Sequence, residues 1–232
     1  MSSGFQVNGN DLDNLFSHIE YWTGLVPSGI AGELVAFGYN NYGQLGQGNT
    51  TSYSSPVQVG TLTNWNLVAG GGYYHTAVKT DGTLWTFGHN GYGQLGQGNT
   101  TNYSSPVQVG SLTNWSQVAC GYYHTAAIKT DGTLWAFGYN NYGQLGLGNT
   151  TSYSSPVQVG SLTNWKQVAC GLYHTAAVKT DGTLWAFGYN SYGQLGQGNI
   201  TSYSSPVQVG TLTNWKQVAG GQYHTAATQT LL

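Results

Sequence analysis

A period of 50 residues constrains this chain more than any other feature. The octapeptide Tyr39-Asn40-Asn41-Tyr42-Gly43-Gln44-Leu45-Gly46 recurs in close copies that begin at His89, Tyr139 and Tyr189. A fixed period of this length is typical of propeller blades, in which each repeat is one supersecondary unit. The 232 residues are therefore interpreted as one repetitive body, residues 33–232, preceded by a short N-terminal segment, residues 1–32.

Each repeat carries four short segments with the alternating apolar pattern of β-strands, which is enough for one propeller blade. The strongest local signal is Lys-Thr-Asp-Gly-Thr-Leu-Trp, which begins at Lys79, Lys129 and Lys179. Asp-Gly between apolar segments favours a tight hairpin. This hairpin joins the last segment of one repeat to the first of the next, so every blade must span a repeat boundary. The sequence thus predicts an all-β fold, a small β-propeller of four repeats.

The hairpin also predicts where the blades lie. Three whole blades are expected at 65–109, 115–159 and 165–209, with half a blade at 34–37 and 56–59 and the complementary half at 215–219 and 223–230. Pairing of the first strand with the last would close a ring of four blades and protect both sheet edges. We therefore predict a ring closed by its N-terminal and C-terminal strands.

The repeated motifs resemble a known family. They are Phe-Gly-x-Asn-x-Tyr-Gly-Gln-Leu-Gly-x-Gly-Asn, a Pro-x-x-Val segment, Val-Ala-Cys-Gly-x-x-His-Thr and the Asp-Gly hairpin, and together they are similar to the regulator of chromosome condensation repeat over residues 33–232. The resemblance implies a propeller of four-stranded blades. Members commonly have seven blades, so four repeats form either a complete small ring or an arc that other copies complete. The exchange-factor activity of the founding member is not expected, because no matching acidic or inserted segment is present.

The N-terminal segment has a different pattern. Leu12, Leu15, Phe16 and Ile19 form one apolar stripe at helical spacing, which predicts a short amphipathic helix that Asn10 or Asp11 can cap. A helix of about ten residues is marginal alone and needs a surface to lie on. That surface is either the propeller itself or another protein, and the second is favoured because each repeat already supplies its own apolar residues. The predicted attachment residues are Phe5, Val7, Leu12, Leu15, Phe16, Ile19 and Trp22.

A second resemblance bears on function. Residues 4–16 are similar to the opening of many bacteriophage virion proteins, particularly tail, fibre and decoration components of aquatic phages. This resemblance implies a structural protein that attaches to the particle through its N-terminal segment and displays the propeller. The expected partners are other virion proteins or copies of itself, and the expected location is the virion, assembled in the host cytoplasm.

Composition excludes several other functions. The chain has seven acidic and five basic residues, and the basic residues are all lysines. Binding of nucleic acid through phosphate neutralisation is therefore not expected. No apolar run is long enough to span a bilayer, and the N-terminus lacks the regions of a signal peptide. No carboxylate pair, nucleophile with a base, phosphate loop or metal-ligand spacing is present, so we predict no enzyme, no cofactor and no metal. His75, His124, His174 and His224 are interpreted as structural, and Cys120 and Cys170 as small packing residues.

A polar, tyrosine-bearing stretch follows each octapeptide. The first copy is Asn49-Thr50-Thr51-Ser52-Tyr53-Ser54-Ser55, and we predict that it lies on a surface loop. Tyrosine among Ser, Thr and Asn is a composition used for adaptable recognition, including of sugars. The alternative function is thus a propeller that binds a protein or glycan of a host cell surface through these loops; a loop satisfied by its own contacts is the simpler interpretation. The candidate recognition residues are Tyr53, Tyr103, Tyr153 and Tyr203.

Overall fold

The computed structural model describes residues 32–230, which form sixteen strands in five antiparallel sheets and, within that range, no helix. Three sheets are complete four-stranded blades and two are two-stranded half-blades. The attachment segment predicted at residues 1–32, with its helix, lies almost wholly outside the described residues.

The strands follow one another in sequence order within every blade. The leading half-blade consists of β1 (Val35–Gly38) and β2 (Tyr53–Gln58). The first complete blade consists of β3 (Trp65–Gly70), β4 (Tyr74–Lys79), β5 (Leu84–Gly88) and β6 (Tyr103–Gln108). The second consists of β7 (Trp115–Cys120), β8 (His124–Lys129), β9 (Leu134–Gly138) and β10 (Tyr153–Gln158). The third consists of β11 (Trp165–Cys170), β12 (His174–Lys179), β13 (Leu184–Gly188) and β14 (Tyr203–Gln208). The trailing half-blade consists of β15 (Trp215–Gly220) and β16 (Thr225–Gln229).

The Asp-Gly hairpin forms as predicted. In the second blade Lys129 N donates to Thr133 O at 3.0 Å, which closes the turn between β8 and β9. Gly132 has φ 77°, a conformation that a residue with a Cβ rarely adopts. The Asp131 carboxylate accepts from Thr133 N at 2.9 Å and fixes the turn from the side. The sheet therefore spans the repeat boundary, and the predicted blade limits are confirmed.

The octapeptide folds as a turn around one buried asparagine. Asn140 Oδ1 accepts from Leu145 N at 2.9 Å, and its Nδ2 donates to Asn149 O at 3.1 Å and Thr151 O at 2.8 Å. The fully buried Leu145 then fills the space beneath the turn. Two residues after the octapeptide, Gly148 N donates to Ser204 O of the next blade at 2.8 Å. In the first three repeats this turn thus joins one blade to the blade that follows.

The core lies mainly between blades. Phe187 of the third blade is fully buried and belongs to one apolar cluster with Leu134 and Leu145 of the second. The tryptophans that open the innermost strands are also core residues: Trp115 is 3% exposed and meets Trp135 edge to face, with ring centroids 6.2 Å apart. Aromatic pairs of this geometry stabilise a core beyond the area that they bury.

One part of the predicted architecture is wrong. The all-β propeller, its four-stranded blades and its two complementary half-blades are confirmed. Within residues 32–230, however, β1 is hydrogen-bonded to β2 alone and β16 to β15 alone. The described residues therefore form an arc that is not closed by pairing of its first and last strands. The physical reason is that curvature depends on packing between blades, which the strand pattern of a single repeat does not determine.

Candidate functional site

Three tyrosine positions per repeat meet on one face of the arc. Two are the first and fourth residues of the octapeptide, and the third precedes the second strand of each blade. All three lie at the end of the blade where β5, β9 and β13 finish, opposite the Asp-Gly hairpins. We call this set the aromatic ribbon, and its members are Tyr39, Tyr42, Tyr73, His89, Tyr92, Tyr123, Tyr139, Tyr142, Tyr173, Tyr189, Tyr192 and Tyr223.

Neighbouring rings of the ribbon touch across every blade boundary. Tyr92 lies 4.8 Å from Tyr123 and 4.9 Å from Tyr139, measured between ring centroids. The same arrangement recurs one repeat later, where Tyr142 lies 5.2 Å from Tyr173 and 4.8 Å from Tyr189. Further pairs extend the contacts to Tyr39 at one end and to Tyr223 at the other, where it meets Tyr192. The ribbon is thus continuous over all four repeats.

Much of the ribbon is open to solvent. Tyr92 is 42% exposed, Tyr142 37% and Tyr192 69%, although each contacts other rings. A contiguous exposed aromatic surface is uncommon on a soluble protein and marks an interaction site. Tyrosine suits such a site because it offers a rigid apolar face together with a hydroxyl group, and loses little conformational entropy on binding.

The charged residues of the described chain lie at the other end of the blades. Three Lys-Asp pairs belong to the Asp-Gly hairpins, and Glu33, Lys166 and Lys216 stand beside the strand ends that adjoin them. The hairpin lysines are partly covered by aromatic rings, since Lys129 Nζ lies 3.6 Å from the ring centroid of Trp135. Within residues 32–230 the ribbon face therefore presents aromatic rings, hydroxyls and amides without a carboxylate or an ammonium group.

Two half-buried phenols of the ribbon resist ionisation more than a free tyrosine does. Burial among neighbouring rings raises the pKa of Tyr123, and burial together with nearby phenols raises the pKa of Tyr173 to about 12. At physiological pH these groups consequently remain hydroxyls, able both to donate and to accept a hydrogen bond. This chemistry suits polar, uncharged or cationic groups on a partner, with cations attracted to the ring faces.

One position of the ribbon departs from the pattern. His89 replaces the tyrosine that opens the other three octapeptides, and its Nδ1 lies 2.7 Å from Gln94 Nε2. The amide is the donor, so His89 carries its proton on Nε2 when neutral. Burial lowers the pKa of His89, which favours this neutral form. The equivalent amide nitrogens of Gln144 and Gln194 have no partner.

The structure places the predicted recognition tyrosines elsewhere. Tyr53, Tyr103, Tyr153 and Tyr203 are half-buried and stand at the first residue of the outermost strand, not on a free loop. Each hydroxyl is held by an asparagine four residues earlier, as in Tyr103, whose hydroxyl oxygen accepts from Asn99 Nδ2 at 3.0 Å. They are therefore separate from the aromatic ribbon. The predicted attachment residues between Phe5 and Trp22 lie outside the described range.

The histidines link blades. His124 Nε2 lies 3.0 Å from Thr175 Oγ1 of the next blade, and Thr175 donates to Gln144 O at 2.8 Å. The first copy is shifted by one residue, so Tyr74 takes the place of His124 and His75 that of Thr125. His75 Nδ1 accordingly donates to Gln44 O at 2.8 Å, and its ring stacks on Phe87. The contacts of His75, His124 and His174 agree with the structural role that the sequence indicated, whereas His224 on the trailing half-blade is exposed.

Other kinds of site find no support in the part of the chain that the structure describes. In that part no three His, Cys, Asp or Glu side chains lie close enough to share a metal ion. No helix there has the length and apolar character needed to cross a membrane. Cys120 and Cys170 are buried free thiols. The aromatic ribbon is thus the feature of residues 32–230 that most resembles a binding surface.

Comparison with solved structures supports the fold. Human WBSCR16 superimposes with a TM-score of 0.76 at 28% identity, over 86% of this chain and 54% of that one. Prp20p from Saccharomyces cerevisiae, described for its binding to Gsp1p and histones, gives a TM-score of 0.77 at 20% identity, over 87% and 52%. Yeast RCC1 bound to Kap60 gives 0.73 at 20%, over 85% and 50%. The chain thus spans about half the length of these propellers.

Sequence comparison identifies the repeat. The model of the regulator of chromosome condensation (RCC1) repeat matches residues 31–78, 81–128, 131–178 and 181–228, which is most of the chain. The search of curated proteins found no match to this sequence. The matched segments contain the octapeptide turns, the interblade histidines or their Tyr74 counterpart, and all rings of the aromatic ribbon. This chain belongs to the regulator of chromosome condensation (RCC1) repeat family.

Proposed function

We propose that this protein is a binding component of a larger assembly, and that it recognises a protein partner through the aromatic ribbon. The observation that carries the proposal is the continuous, exposed and uncharged array of tyrosine rings from Tyr39 to Tyr223. Binding energy at protein interfaces is concentrated in a few aromatic and arginine residues set in a desolvated centre. An uncharged tyrosine surface meets that description without a long-range electrostatic contribution.

The chemistry of the ribbon indicates what kind of partner fits. Neutral phenols and amides pair with backbone groups, and ring faces attract arginine and lysine. We therefore expect a partner surface or segment that is polar and carries basic or apolar side chains, and not an acidic one. Protein partners named for the similar yeast propellers make binding through this fold a reasonable role.

The test uses paired variants of the intact protein. Tyr92→Ala and Tyr142→Ala remove exposed rings from the ribbon, whereas Leu112→Ala and Leu162→Ala remove equally exposed apolar groups from the hairpin end. Proteins that the wild type captures from its native source are identified, and their capture by the four variants is compared. The affinity of each captured protein for the wild type and the variants is then measured by calorimetry. Loss of a central aromatic residue costs about 2 kcal/mol, or about 30-fold in affinity. A partner that binds all variants equally would refute the role of the ribbon.

A virion setting is the more specific form of this proposal. It is supported by residues 4–16, whose sequence is similar to the opening of bacteriophage virion proteins, and it assigns attachment to the N-terminal segment and display to the propeller. Detection of the protein in purified virions, and its loss from particles when Leu12 and Phe16 are changed to serine, would support it. Absence from purified virions would refute it while leaving the ribbon's role open.

Glycan recognition is the alternative proposal. Tyrosine rings stack on sugars and neutral hydroxyls hydrogen-bond to them, so the ribbon suits a glycan as well as the loops that the sequence indicated. A glycan array would show binding that Tyr92→Ala weakens if the ribbon is used, or that Tyr103→Ala weakens if the outer-strand tyrosines are used. An array without binding would remove this alternative.

A further inference from the structure

The two half-blades expose complementary edges. Strand β1 is the copy of β5, β9 and β13, each of which pairs on its second side with the preceding strand of a complete blade. Strand β16 is the copy of β4, β8 and β12, each of which pairs on its second side with the strand that follows. Among residues 32–230, one side of β1 and one side of β16 are unpaired, and these are the two edges that join inside every complete blade.

Side-chain burial shows that both edges lack the neighbouring strand that covers their copies in the complete blades. Phe37 on β1 is 61% exposed, whereas its copies Phe87, Phe137 and Phe187 are at most 1% exposed. On the other edge, β16 is exposed or half-buried along its whole length, whereas every residue of its copy β12 is buried. Exposed strand edges with apolar side chains are templates for pairing with another chain.

The turn before the trailing half-blade lacks its usual neighbour as well. In the first three repeats the octapeptide and the two residues after it pack on a serine of the next blade. In the second repeat, for example, Gly98 N donates to Ser154 O at 2.7 Å. A Cβ on Gly93 would lie 2.5 Å from Ser154 Cα, but nothing lies within 4 Å of the same point on Gly193. The serine that would complete the fourth contact is the copy in the leading half-blade, Ser54.

We propose that a second copy of this chain completes both half-blades, in a closed ring of two chains in which β16 of each pairs with β1 of the other. The expected register places Thr225 opposite Phe37 and Ala226 opposite Ala36, as Thr175 lies opposite Phe187 and Ala176 opposite Ala186. Phe37 then packs on Gly196 of the other copy, as Phe187 packs on Gly146.

The size of the arc supports a second copy of the chain as the partner. The chain follows the curvature of longer propellers over 54% and 52% of their length, so about half of such a ring remains for another body. Two copies carry eight repeats in all, twice the four matched here, which is within the range of four to eight blades known for propellers. The ring has a two-fold axis and two equivalent seams, which closes the assembly. This inference goes beyond the proposed binding role and does not depend on it.

The first experiment measures the mass of the full chain by analytical ultracentrifugation over a range of concentrations. The wild type is expected to sediment as two copies. Phe37→Asp places a charge in each seam and is expected to raise the dissociation constant at least about 100-fold, since burying a large apolar side chain contributes several kcal/mol. Because Phe37 is exposed in the single chain, this variant is expected to keep its fold, and circular dichroism checks that it does. Leu112→Asp changes an exposed leucine in the connection between the first and second blades, outside both half-blades, and should leave the mass unchanged.

The second experiment tests the pairing itself. One preparation carries Ala36→Cys and another carries Ala226→Cys, and the two are mixed and mildly oxidised. Residues opposite each other in antiparallel strands have Cα atoms at a separation that a disulfide can bridge. A cross-linked product should form in the mixture and not in either preparation alone. The native thiols do not interfere, since Cys120 and Cys170 are 4% and 1% exposed.

Each remaining outcome contradicts the proposal. A wild type that stays monomeric, or a mixture that does not cross-link, would show that no second copy lies on β1. A chain carrying both substitutions that cross-links within one molecule would show that the chain closes on itself. A mass that grows without limit as concentration rises would show an open filament instead of a ring of two.

Discussion

His124 Nε2 and Thr175 Oγ1 lie 3.0 Å apart across the boundary between the second and third blades. Because the threonine hydroxyl donates its proton to Gln144 O, the imidazole must be the donor in this pair, and it carries its proton on Nε2. His174 makes the same bond to Thr225 at 2.9 Å. The blades are thus joined by neutral histidines.

These histidines predict a dependence of stability on pH. Burial lowers the pKa of His124 from its ordinary 6.5 to about 3 and that of His174 to about 4. Above pH 6.5 both groups are neutral in the folded and unfolded chain, so stability is complete. As pH falls below 6.5 the unfolded chain takes up protons that the folded chain excludes, and stability decreases until about pH 4 for the His174 contribution and about pH 3 for the His124 contribution. Each group contributes a slope of about 1.4 kcal/mol per pH unit in this window.

Urea denaturation at a series of pH values from 7.5 to 4.5 measures this slope. His124→Gln keeps an amide donor toward Thr175 and removes one titrating group, so its slope should be shallower by about 1.4 kcal/mol per pH unit. His174→Gln should have the same effect. A slope unchanged in both variants would show that the two imidazoles are not excluded from protonation in the folded chain.

Adjacent asparagines of the octapeptide are predicted to differ sharply in their tolerance of charge. Asn140 is fully buried and donates two hydrogen bonds through Nδ2, so Asn140→Asp removes both donors and places a carboxylate against two carbonyl oxygens. We expect a loss of about 3 kcal/mol in the free energy of unfolding. Asn141→Asp makes the same chemical change on an exposed residue and should cost less than about 0.5 kcal/mol. Equal losses in thermal or urea denaturation would contradict the assigned role of Asn140.

Alanine substitutions at two glycines with positive φ distinguish the cost of backbone strain from the cost of crowding between blades. Gly93 has φ 79° and Gly110 has φ 59°, so alanine is strained at both positions. A Cβ at position 93 would also meet Ser154 of the next blade, whereas nothing lies within 4 Å at position 110. We expect Gly110→Ala to cost about 1 kcal/mol and Gly93→Ala at least about 3 kcal/mol. If chemical denaturation gave similar losses for both, the close approach between blades would not be important for stability.

The two cysteines are predicted to be unreactive in the folded protein. Burial raises the pKa of Cys120 to about 11 and also raises that of Cys170, and the thiolate is the reactive form. Reaction with a thiol reagent at pH 8 should therefore be at least about 100-fold slower than in urea-unfolded protein, limited by local opening. Rapid labelling of the native chain would show that the space between the innermost strands is open to solvent.

The sequence determined most of the fold because its strongest signals are local. Asp131-Gly132 specifies a hairpin through residues that are neighbours in the chain, and the position of that hairpin determines every blade limit. The turn around Asn140 was likewise predictable, since the hydrogen bonds of Asn140 reach no further than Ser152 of the same repeat. Ring closure was not, because the strand 34–37 has the same pattern whether it meets its own chain, another chain or solvent.

The aromatic ribbon was not predicted from the sequence, for a related reason. Tyr92, Tyr123 and Tyr139 are far apart in the chain and meet only because consecutive blades lie side by side. One signal was available: tyrosine stands at the fourth octapeptide position in every copy, and at the first in every copy except the one that begins with His89. The tyrosines predicted as recognition residues, such as Tyr103, lie in the more polar stretch, but their hydroxyls are hydrogen-bonded to Asn99 and its equivalents.

The hairpin that spans each repeat boundary also governs how such a chain changes length by gene duplication. Inserting or deleting one unit of 50 residues adds or removes a whole blade and leaves every remaining hairpin intact. Whatever the number of units between them, the first half-blade still consists of the two outer strands of a blade, and the last half-blade still consists of the two inner strands. A lineage could therefore alter the size of the arc in single steps without redesigning the surfaces at its ends.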